Sequence, residues 1–383
     1  MVKTDAALDA HFFQLLRVAV GTSQKMPQGL TAEEWARLLD LAVKQSVAGL
    51  LFDQIERVDK DQLGIPLDVM FEWIGIAEQI KGQNSEQNTK CVEVCRYFEK
   101  RGFRCCILKG QGNALLYPDP YGRTPGDIDL WLMPRQEGKT RRDDRLAVIR
   151  MARRLNPKGK VCYHHADAGK YKGEEVEIHY RPSFMNSLIN NRRLQQWFDA
   201  RRQKQFCHRV ELPENIGTIN VPDMTFNLVF QMAHISNHVM HEGLGLRQIV
   251  DYCFLLQKAR QEQGDGDWAM LAPTLQQLGL LTMARAVMFV MQEVFGMDPK
   301  TLPVAPDERR GRFLLDEMMA GGNFGRYDER VSRPATQWQA NLLRLRRDMR
   351  LLRYFPSESL WEPVFRWYHF FWRFSYERFG NIK

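Results

Sequence analysis

The segment RCCILKGQGNALLYPDPYGRTPGDIDLWL, residues 104–132, carries the pattern that determines the fold class. A short apolar run typical of a strand turns at Lys-Gly-Gln-Gly and is followed by a short helical stretch and a loop rich in proline and glycine. The segment closes on DIDLWL, in which Asp127 and Asp129 alternate with apolar residues. Because side chains alternate faces along a strand, we predict that both carboxylates share one face while Ile128 and Leu130 enter the core.

Two like charges on a partly buried face repel each other, and burial pushes at least one carboxyl group towards protonation. A divalent cation removes that cost. Oxygen ligands from one strand face suit Mg²⁺, which takes one or two carboxylates and completes its shell with water and substrate phosphates. The sequence therefore predicts a Mg²⁺ site at Asp127 and Asp129.

A third carboxylate is expected from the strand EEVEIHYRP, which offers Glu175 and Glu177 on one face. We prefer Glu177, because Glu175 lies closer to the preceding turn and is more exposed. Three carboxylates can hold two Mg²⁺ ions, one activating an attacking hydroxyl group and the other binding a triphosphate and its leaving pyrophosphate. Glu177 is expected to hold the first ion and to orient or deprotonate the nucleophile.

The Lys-Gly-Gln-Gly turn is expected to bind the phosphates. Gly110 and Gly112 allow the backbone to approach a phosphate group, and the short helix that follows directs its N-terminus there. We predict that Lys109, Gly110 and Gln111 contact the triphosphate and that Arg123 neutralises part of its charge.

Helical patterns surround this region on both sides. Thr31, followed three residues later by Glu34, predicts a capping box, and Gly102 is expected to end a long helix. Between them and the C-terminal helices lies a β-α-β-α-β-β pattern, whose last two strands are predicted as VCYHH and EEVEIHYRP, joined by ADAGKYKGE. We predict an α+β fold, with a small mixed sheet embedded between N- and C-terminal helical regions. The predicted division is a helical region 1–102, a core 103–184, a helical domain 185–297, and a C-terminal loop with a basic and aromatic helical tail 298–383.

The composition is ordinary for a globular protein, and the net charge of +8 favours polyanionic partners such as nucleotides, nucleic acid or acidic lipid surfaces. Seven scattered cysteines without a Cys-x-x-Cys pair indicate reduced thiols. The N-terminus lacks the pattern of a signal peptide, and no apolar run approaches the roughly 18 residues of a membrane span. We therefore expect a cytoplasmic protein without a transmembrane segment; its oligomeric state is left open.

LKGQGNALLYPDPYGRTPGDIDLWL, followed by VEIHY, resembles the nucleotidyltransferase superfamily typified by DNA polymerase β. More closely, the segment from about residue 30 to about residue 255 is similar to a bacterial family of uncharacterised nucleotidyltransferases. That family shares the Leu-Lys-Gly turn, the Tyr-Pro-Asp-Pro loop, the Asp-Ile-Asp-Leu strand, an acid-x-His motif and a His-rich helical segment. The resemblance implies transfer of a nucleoside monophosphate from a nucleoside triphosphate to an acceptor, which can be a small molecule, a sugar, a protein or RNA. Gln111 stands where the superfamily usually has serine.

Two other functions remain open at this point. One is a nucleotide-binding module that has kept the fold and lost turnover. The other is an RNA-directed transferase or toxin that uses the basic and aromatic tail to bind RNA. For the tail itself we prefer an amphipathic helix that packs its aromatic face on the body and leaves its arginines in water.

Several histidines and one Arg–Asp pair lie outside the predicted carboxylate site. His234, His238 and His241 share a helical face, and we favour packed histidines over a zinc site because no fourth ligand is identifiable. His164 and His165 are consecutive on a predicted strand, so we expect them on opposite faces. His179 is expected on the same strand face as Glu177, where it contacts the acceptor, orients the carboxylate or is simply packed. In the same way, Arg247 and Asp251 are expected to form a structural pair one helical turn apart.

Overall fold

The architecture is described from a computed structural model, which covers residues 6–58, 63–262, 265–328, 330 and 336–379. The fold is α+β, as predicted: a small mixed sheet whose strands are flanked in sequence by N- and C-terminal helices. The chain divides into two compact units. The first comprises the described residues through Asn84, with Leu116–Thr124 and Ile235–Phe355. The second comprises Ser85–Leu115, Pro125–His234 and the described residues from Pro356 onward.

Within the described residues the helices, numbered in chain order, are α1 Ala6–Ala19, α2 Ala32–Lys44, α3 Ala48–Ile55, α4 Leu67–Glu99, α5 Gly110–Ala114, α6 Arg141–Leu155, α7 Leu188–Gln205, α8 Met224–His241, α9 Leu246–Glu262, α10 Asp265–Gln277, α11 Leu281–Glu293, α12 Glu308–Gly321, α13 Gln337–Leu352 and α14 Pro356–Phe379. The strands are β1 Phe103–Leu108, β2 Ile128–Pro134, β3 His165–Tyr171, β4 Glu174–His179, β5 Arg209–Glu211 and β6 Thr218–Asn220.

The main sheet belongs to the second unit and has the strand order β1-β2-β4-β3. Strand β2 is antiparallel to β1 and parallel to β4, and β3 is antiparallel to β4. Ile107, Leu130 and Ile178 lie on the face that packs into the core of this unit, and each is at most 1% exposed. The strand period of two therefore directs Asp129 and Glu177 to the opposite face.

The third strand differs from its predicted position. Strand β3 runs through the residues that were assigned to the turn, and the prediction of a strand at VCYHH is wrong. Gly169, with φ of +82°, lies where the register between β3 and β4 shifts, so a bulge carries the strand past this glycine. The turn itself consists of Lys172 and Gly173, which both have positive φ, as two-residue hairpin turns require.

Helix boundaries predicted from caps agree with the structure. Thr31 caps α2, and its hydroxyl accepts from the Glu34 backbone N–H while the Glu34 carboxylate accepts from the Thr31 backbone N–H. Helix α4 ends at Glu99, and Gly102 follows with φ of +85°. The local signals of these segments are sufficient to set both boundaries.

Helix α14 packs one face within the second unit and leaves another exposed. Phe365 and Trp372 are buried and contact Tyr163, with ring centroids 5.3 and 5.6 Å away. The exposed face carries an apolar series at helical spacing, Leu360, Val364, Trp367, Phe371 and Phe374. The packed face follows the preferred prediction for the tail, whereas exposure of so many aromatic rings was not expected. Among the described residues, no helix is both long enough and apolar enough to cross a membrane.

Candidate functional site

Acidic and imidazole groups meet on the face of the main sheet opposite Leu130 and Ile178. Asp129 of β2 lies opposite Glu177 of β4 in the parallel register, and His179 follows two residues later on the same face of β4. Ligand atoms of these three side chains all lie within 4.8 Å of one another. Asp129 is 3% exposed, while about a third of the Glu177 side chain remains accessible. The pairing of β2 with β4 therefore creates a site with one buried and one accessible carboxylate.

Both carboxylate oxygens of Asp129 are bonded by basic side chains. Lys109 Nζ lies 2.7 Å from Oδ2, and His179 Nε2 lies 2.7 Å from Oδ1. Although burial opposes ionisation, these two neighbours hold the pKa of Asp129 well below its usual range. In this structure the charge of the aspartate is thus compensated by side chains of the protein itself.

Lys109 occupies an unusual backbone position at the end of β1. Its φ of 56° and ψ of −139° lie outside the regions that residues other than glycine normally adopt, a conformation costing about 1–3 kcal/mol. Its Nζ also lies 3.1 Å from His234 Nε2. Burial opposes the charge, yet the carboxylates of Asp129, Asp127 and Glu177 raise the pKa of Lys109. The strained turn thus places the charged ammonium group of Lys109 beside the carboxylates.

Asp127 immediately precedes β2 and is partly exposed. Its charge contributes to the raised pKa of Lys109, so its carboxylate belongs to the same electrostatic neighbourhood as Asp129. The group of ligand atoms within 4.8 Å contains Asp129, Glu177 and His179 and does not include Asp127.

Glu177 and His179 share one charge network. His179 Nε2 lies 3.6 Å from Glu177 Oε2, and His165 Nδ1 lies 3.2 Å from the same oxygen. Against the effect of burial, Asp129 and Glu177 raise the pKa of His179 to about 9, so the imidazole is protonated at neutral pH. Despite its own burial, the pKa of Glu177 is lowered by His179 and His165. The site at neutral pH therefore contains ionised carboxylates beside two cations.

The glycines of the turn have different structural roles. Gly110 has φ of +47° and no atom within 4 Å of a Cβ placed on it, so glycine is favoured there by the backbone conformation and not by packing. A Cβ on Gly112 would lie 2.9 Å from Val221 Cγ1, so Gly112 is required by packing. Gln111 is buried, and its side-chain amide donates to Asn88 Oδ1 on α4.

Arg123 belongs to the first unit, where it is 4% exposed. Its guanidinium forms two parallel bonds to the Asp251 carboxylate, Nε to Oδ1 and Nη2 to Oδ2, both at 2.8 Å. Tyr117 donates a further hydrogen bond of 2.7 Å to Asp251. Arg247, expected to pair with Asp251, donates to the Thr124 carbonyl oxygen and contributes a weaker lowering of the pKa of Asp251.

The three histidines of α8 lie in different surroundings. His234, in the second unit, contacts Lys109, and His238, in the first unit, has its Nδ1 3.0 Å from Glu242 Oε2. The His241 carbonyl oxygen accepts a hydrogen bond from Arg347.

Sequence reasoning missed the contacts of Lys109 and His165 with the carboxylates, and it left a packed His179 as an equal alternative to one that orients the carboxylate. One signal was present for Lys109, which directly precedes the glycine turn at the end of a strand that borders the Asp-x-Asp strand. Another was the acid-x-His spacing of Glu177 and His179, which puts both side chains on one strand face.

The donor set fits a divalent cation. Two carboxylates on adjoining strands supply the hard oxygen ligands that Mg²⁺ prefers, and the accessible edge at Glu177 leaves room for water or phosphate oxygens. The nearby imidazole of His179 adds a nitrogen donor of the kind that transition metals accept.

Comparison with known proteins adds a family assignment. The model of a family described as uncharacterised nucleotidyltransferase matches residues 31–296. Curated proteins give no match. Among solved structures, the chain is similar to an antigenic nucleotidyltransferase-like protein from Paracoccidioides brasiliensis, with 17% identity, 51% of this chain and 93% of that chain covered, and a TM-score of 0.29. A score this low carries no structural argument. Because the family model matches well over half of its residues, the chain belongs to the uncharacterised nucleotidyltransferase family.

Proposed function

We propose that this protein transfers a nucleoside monophosphate from a nucleoside triphosphate to a hydroxyl-bearing acceptor, as a member of the DNA polymerase β-like superfamily. The observation that carries the proposal is the register of β2 and β4, which sets Asp129 beside Glu177 with Lys109 bonded to Asp129. Membership of a nucleotidyltransferase family supports the reaction class. The seven cysteines, all free thiols, support a cytoplasmic location.

Asp127, Asp129 and Glu177 are the proposed metal-binding and catalytic residues, and Mg²⁺ is the proposed cation, with two ions per site. When bound, Mg²⁺ would offset the charge of the triphosphate and its leaving pyrophosphate. The ammonium group of Lys109 is positioned beside the same carboxylates and can donate to a phosphate oxygen. His179 fixes the orientation of Asp129 through its 2.7 Å hydrogen bond.

Glu177 is the proposed contact for the acceptor. Its side chain is the more accessible of the two paired carboxylates, and its lowered pKa keeps it ionised at neutral pH. An ionised carboxylate can accept a hydrogen bond from the attacking hydroxyl group and orient it. Gly110 and Gln111 are the proposed backbone contacts for the triphosphate, and Arg123 remains a proposed electrostatic contact in addition to its pairing with Asp251.

The test incubates the protein with each α-labelled nucleoside triphosphate, Mg²⁺ and a cell extract as the source of acceptors. Wild type is compared with Asp129→Asn and Glu177→Gln. Glu175→Gln is the matched control, because Glu175 lies on the same strand face, nearer the hairpin turn, and is exposed. We expect both site variants to lose at least about 100-fold in labelling, while Glu175→Gln stays within about twofold. Equal labelling by wild type and Asp129→Asn would overturn the assignment.

A nucleotide-binding module without turnover is the second candidate. It is favoured by one observation: Lys109 and His179 already bond both oxygens of Asp129, so a cation must compete with them. Calorimetric titration with Mg²⁺ and ATP, followed by a pyrophosphate assay across the acceptor pool, separates the two functions. Binding without pyrophosphate release supports the module, whereas release that depends on Asp129 supports the transferase.

A further inference from the structure

Three histidines, His164, His165 and His179, cluster beside Glu177. His164 Nε2 lies 3.0 Å from His165 Nδ1, which in turn lies 3.2 Å from Glu177 Oε2. Ligand atoms of His164, His165 and His179 all lie within 4.8 Å of one another. The mechanism proposed above uses neither His164 nor His165.

The backbone brings these rings together by two different means. His165 and His179 are direct partners across the antiparallel β3–β4 pair, so their side chains share one face of the sheet. His164 lies at a bend immediately before β3, where its carbonyl oxygen accepts from the backbone N–H groups of Tyr180 and Arg181. Because His164 precedes the strand, face alternation does not apply to it, and the expectation that consecutive histidines face opposite sides is wrong.

This histidine cluster has too few hydrogen atoms to complete the hydrogen bonds of all its polar atoms. His165 Nδ1 can carry a single hydrogen, which cannot point fully at both His164 Nε2 and Glu177 Oε2. His164 Nδ1 and His179 Nδ1 are buried atoms without a hydrogen-bond partner among the described residues, and His179 is only 3% exposed. Buried polar atoms without partners are uncommon in folded proteins and point to a missing ion or water.

The chemistry of the donors favours a metal ion. The ring nitrogens of His164 and His165 lie 3.0 Å apart, and a carboxylate oxygen of Glu177 lies 3.2 Å from His165. Neutral imidazole is the usual form in which histidine binds Zn²⁺ and its neighbours in the first transition series. Mg²⁺, which prefers oxygen ligands, is a poor match for such a donor set.

From this geometry we infer a separate site for a divalent transition metal, with His164 and His165 as its ligands and with Glu177 and His179 at its margin. The site borders Glu177 of the proposed catalytic carboxylates and depends on imidazole for its selectivity. The proposed transition-metal site therefore does not depend on whether the chain transfers nucleotides.

The experiment measures binding of Zn²⁺ and Co²⁺ to the full chain, after chelation and removal of the chelator. Equilibrium dialysis with elemental analysis gives the Zn²⁺ stoichiometry and affinity, and visible absorption of the Co²⁺ form reports nitrogen coordination. We compare wild type with His164→Gln, His165→Gln and Asp129→Asn. His11→Gln in α1 is the matched control, because it removes a histidine from the other unit. Circular dichroism and thermal unfolding without metal confirm that each variant is folded.

We expect one Zn²⁺ per wild-type chain in the presence of excess Mg²⁺. Loss of either ligand is expected to weaken binding by at least about tenfold, whereas His11→Gln and Asp129→Asn stay within about threefold. Absence of tight Zn²⁺ binding to wild type overturns the proposal without reference to any variant. Equal weakening by His11→Gln, or a larger effect of Asp129→Asn than of His164→Gln, also overturns it. Loss of labelling in Asp129→Asn with Zn²⁺ binding retained separates this site from the proposed transferase activity.

Discussion

Lys109 Nζ lies 2.7 Å from Asp129 Oδ2 in an ion pair whose carboxylate is 97% buried, and the backbone of Lys109 has a positive φ. The strained backbone at Lys109 places its ammonium group beside Asp129. We predict that Lys109→Ala destabilises the fold by about 2–4 kcal/mol, because it leaves a buried carboxylate with His179 as its remaining charged partner. The measurement is the free energy of unfolding from urea denaturation.

Two controls accompany that prediction. Lys139→Ala removes an exposed lysine and is expected to change stability by less than about 0.5 kcal/mol. Lys109→Ala combined with Asp129→Asn should be more stable than Lys109→Ala alone, because no buried charge is left uncompensated. Identical stabilities of the single and double variants would show that the pair is not energetically coupled.

Gly112→Ala tests the packing of the Lys-Gly-Gln-Gly turn on Val221, the residue that follows β6. A Cβ at this position would lie 2.9 Å from Val221 Cγ1, so we expect a loss of about 1–3 kcal/mol in unfolding free energy. Val221→Ala removes the clashing methyl group, and the double variant should therefore lose less than the two single losses added together. Additive losses in thermal unfolding would contradict a direct contact.

Arg123→Ala tests the buried pair with Asp251 in the first unit. Loss of both 2.8 Å bonds is expected to cost about 3–5 kcal/mol, since it removes the guanidinium that neutralises the buried Asp251 carboxylate, while the neutral hydrogen bond from Tyr117 stays. Arg123→Lys keeps the charge but not the two-bond geometry, and should lose a smaller amount. Calorimetric titration of Arg123→Lys with ATP and Mg²⁺ tests the triphosphate contact separately: weaker binding by the folded variant supports it, and unchanged binding removes it.

Because Glu358 in α14 is buried, we predict that the free energy of unfolding depends on pH. Burial raises the pKa of Glu358 to about 7 from an ordinary value of 4.5, although hydrogen bonds from the Asn186 and Ser187 backbone oppose the shift. Between these values the folded chain holds a proton that the unfolded chain has released. The stabilising contribution is therefore complete below pH 4.5 and is lost as the pH rises through about 7, by about 3 kcal/mol in total.

Glu358→Gln should remove this slope, because an amide keeps an oxygen acceptor for the Asn186 N–H and does not titrate. Urea midpoints at pH 5, 6, 7 and 8 give the comparison. Glu211→Gln on β5, an exposed position, should retain the wild-type slope. If wild type and Glu358→Gln lose stability in parallel over this range, another group is responsible.

The features that sequence predicted well are governed by local rules. The capping box of Thr31 and Glu34, the end of α4 before Gly102 and the common face of Glu177 and His179 follow from spacing alone. The α+β class follows from the change of hydrophobic period along the chain. These properties depend on residues within one turn or one strand of each other.

The features that sequence missed depend on partners that are distant in the chain or on backbone that departs from regular geometry. The position of β3 was misjudged because Gly169 reads as a turn residue, yet here it accommodates a bulge. His164 was misassigned because it lies at a bend before the strand. The partner of Arg123 is Asp251, on a helix far along the chain, and no periodicity connects the two. The domain boundaries drawn from the sequence remain predictions.

The parallel pairing of β2 with β4 has a consequence for how the protein assembles. Asp129 and His179 are 50 residues apart, whereas β3 and β4 are joined by a two-residue turn. Closing the short hairpin is entropically cheaper than closing the long crossover, so His165, Glu177 and His179 should meet before Asp129 reaches them. A refolding chain would then pass through a stage in which the imidazoles are already close together but Asp129 has not yet reached them. Zinc present at that stage would influence the yield of native protein.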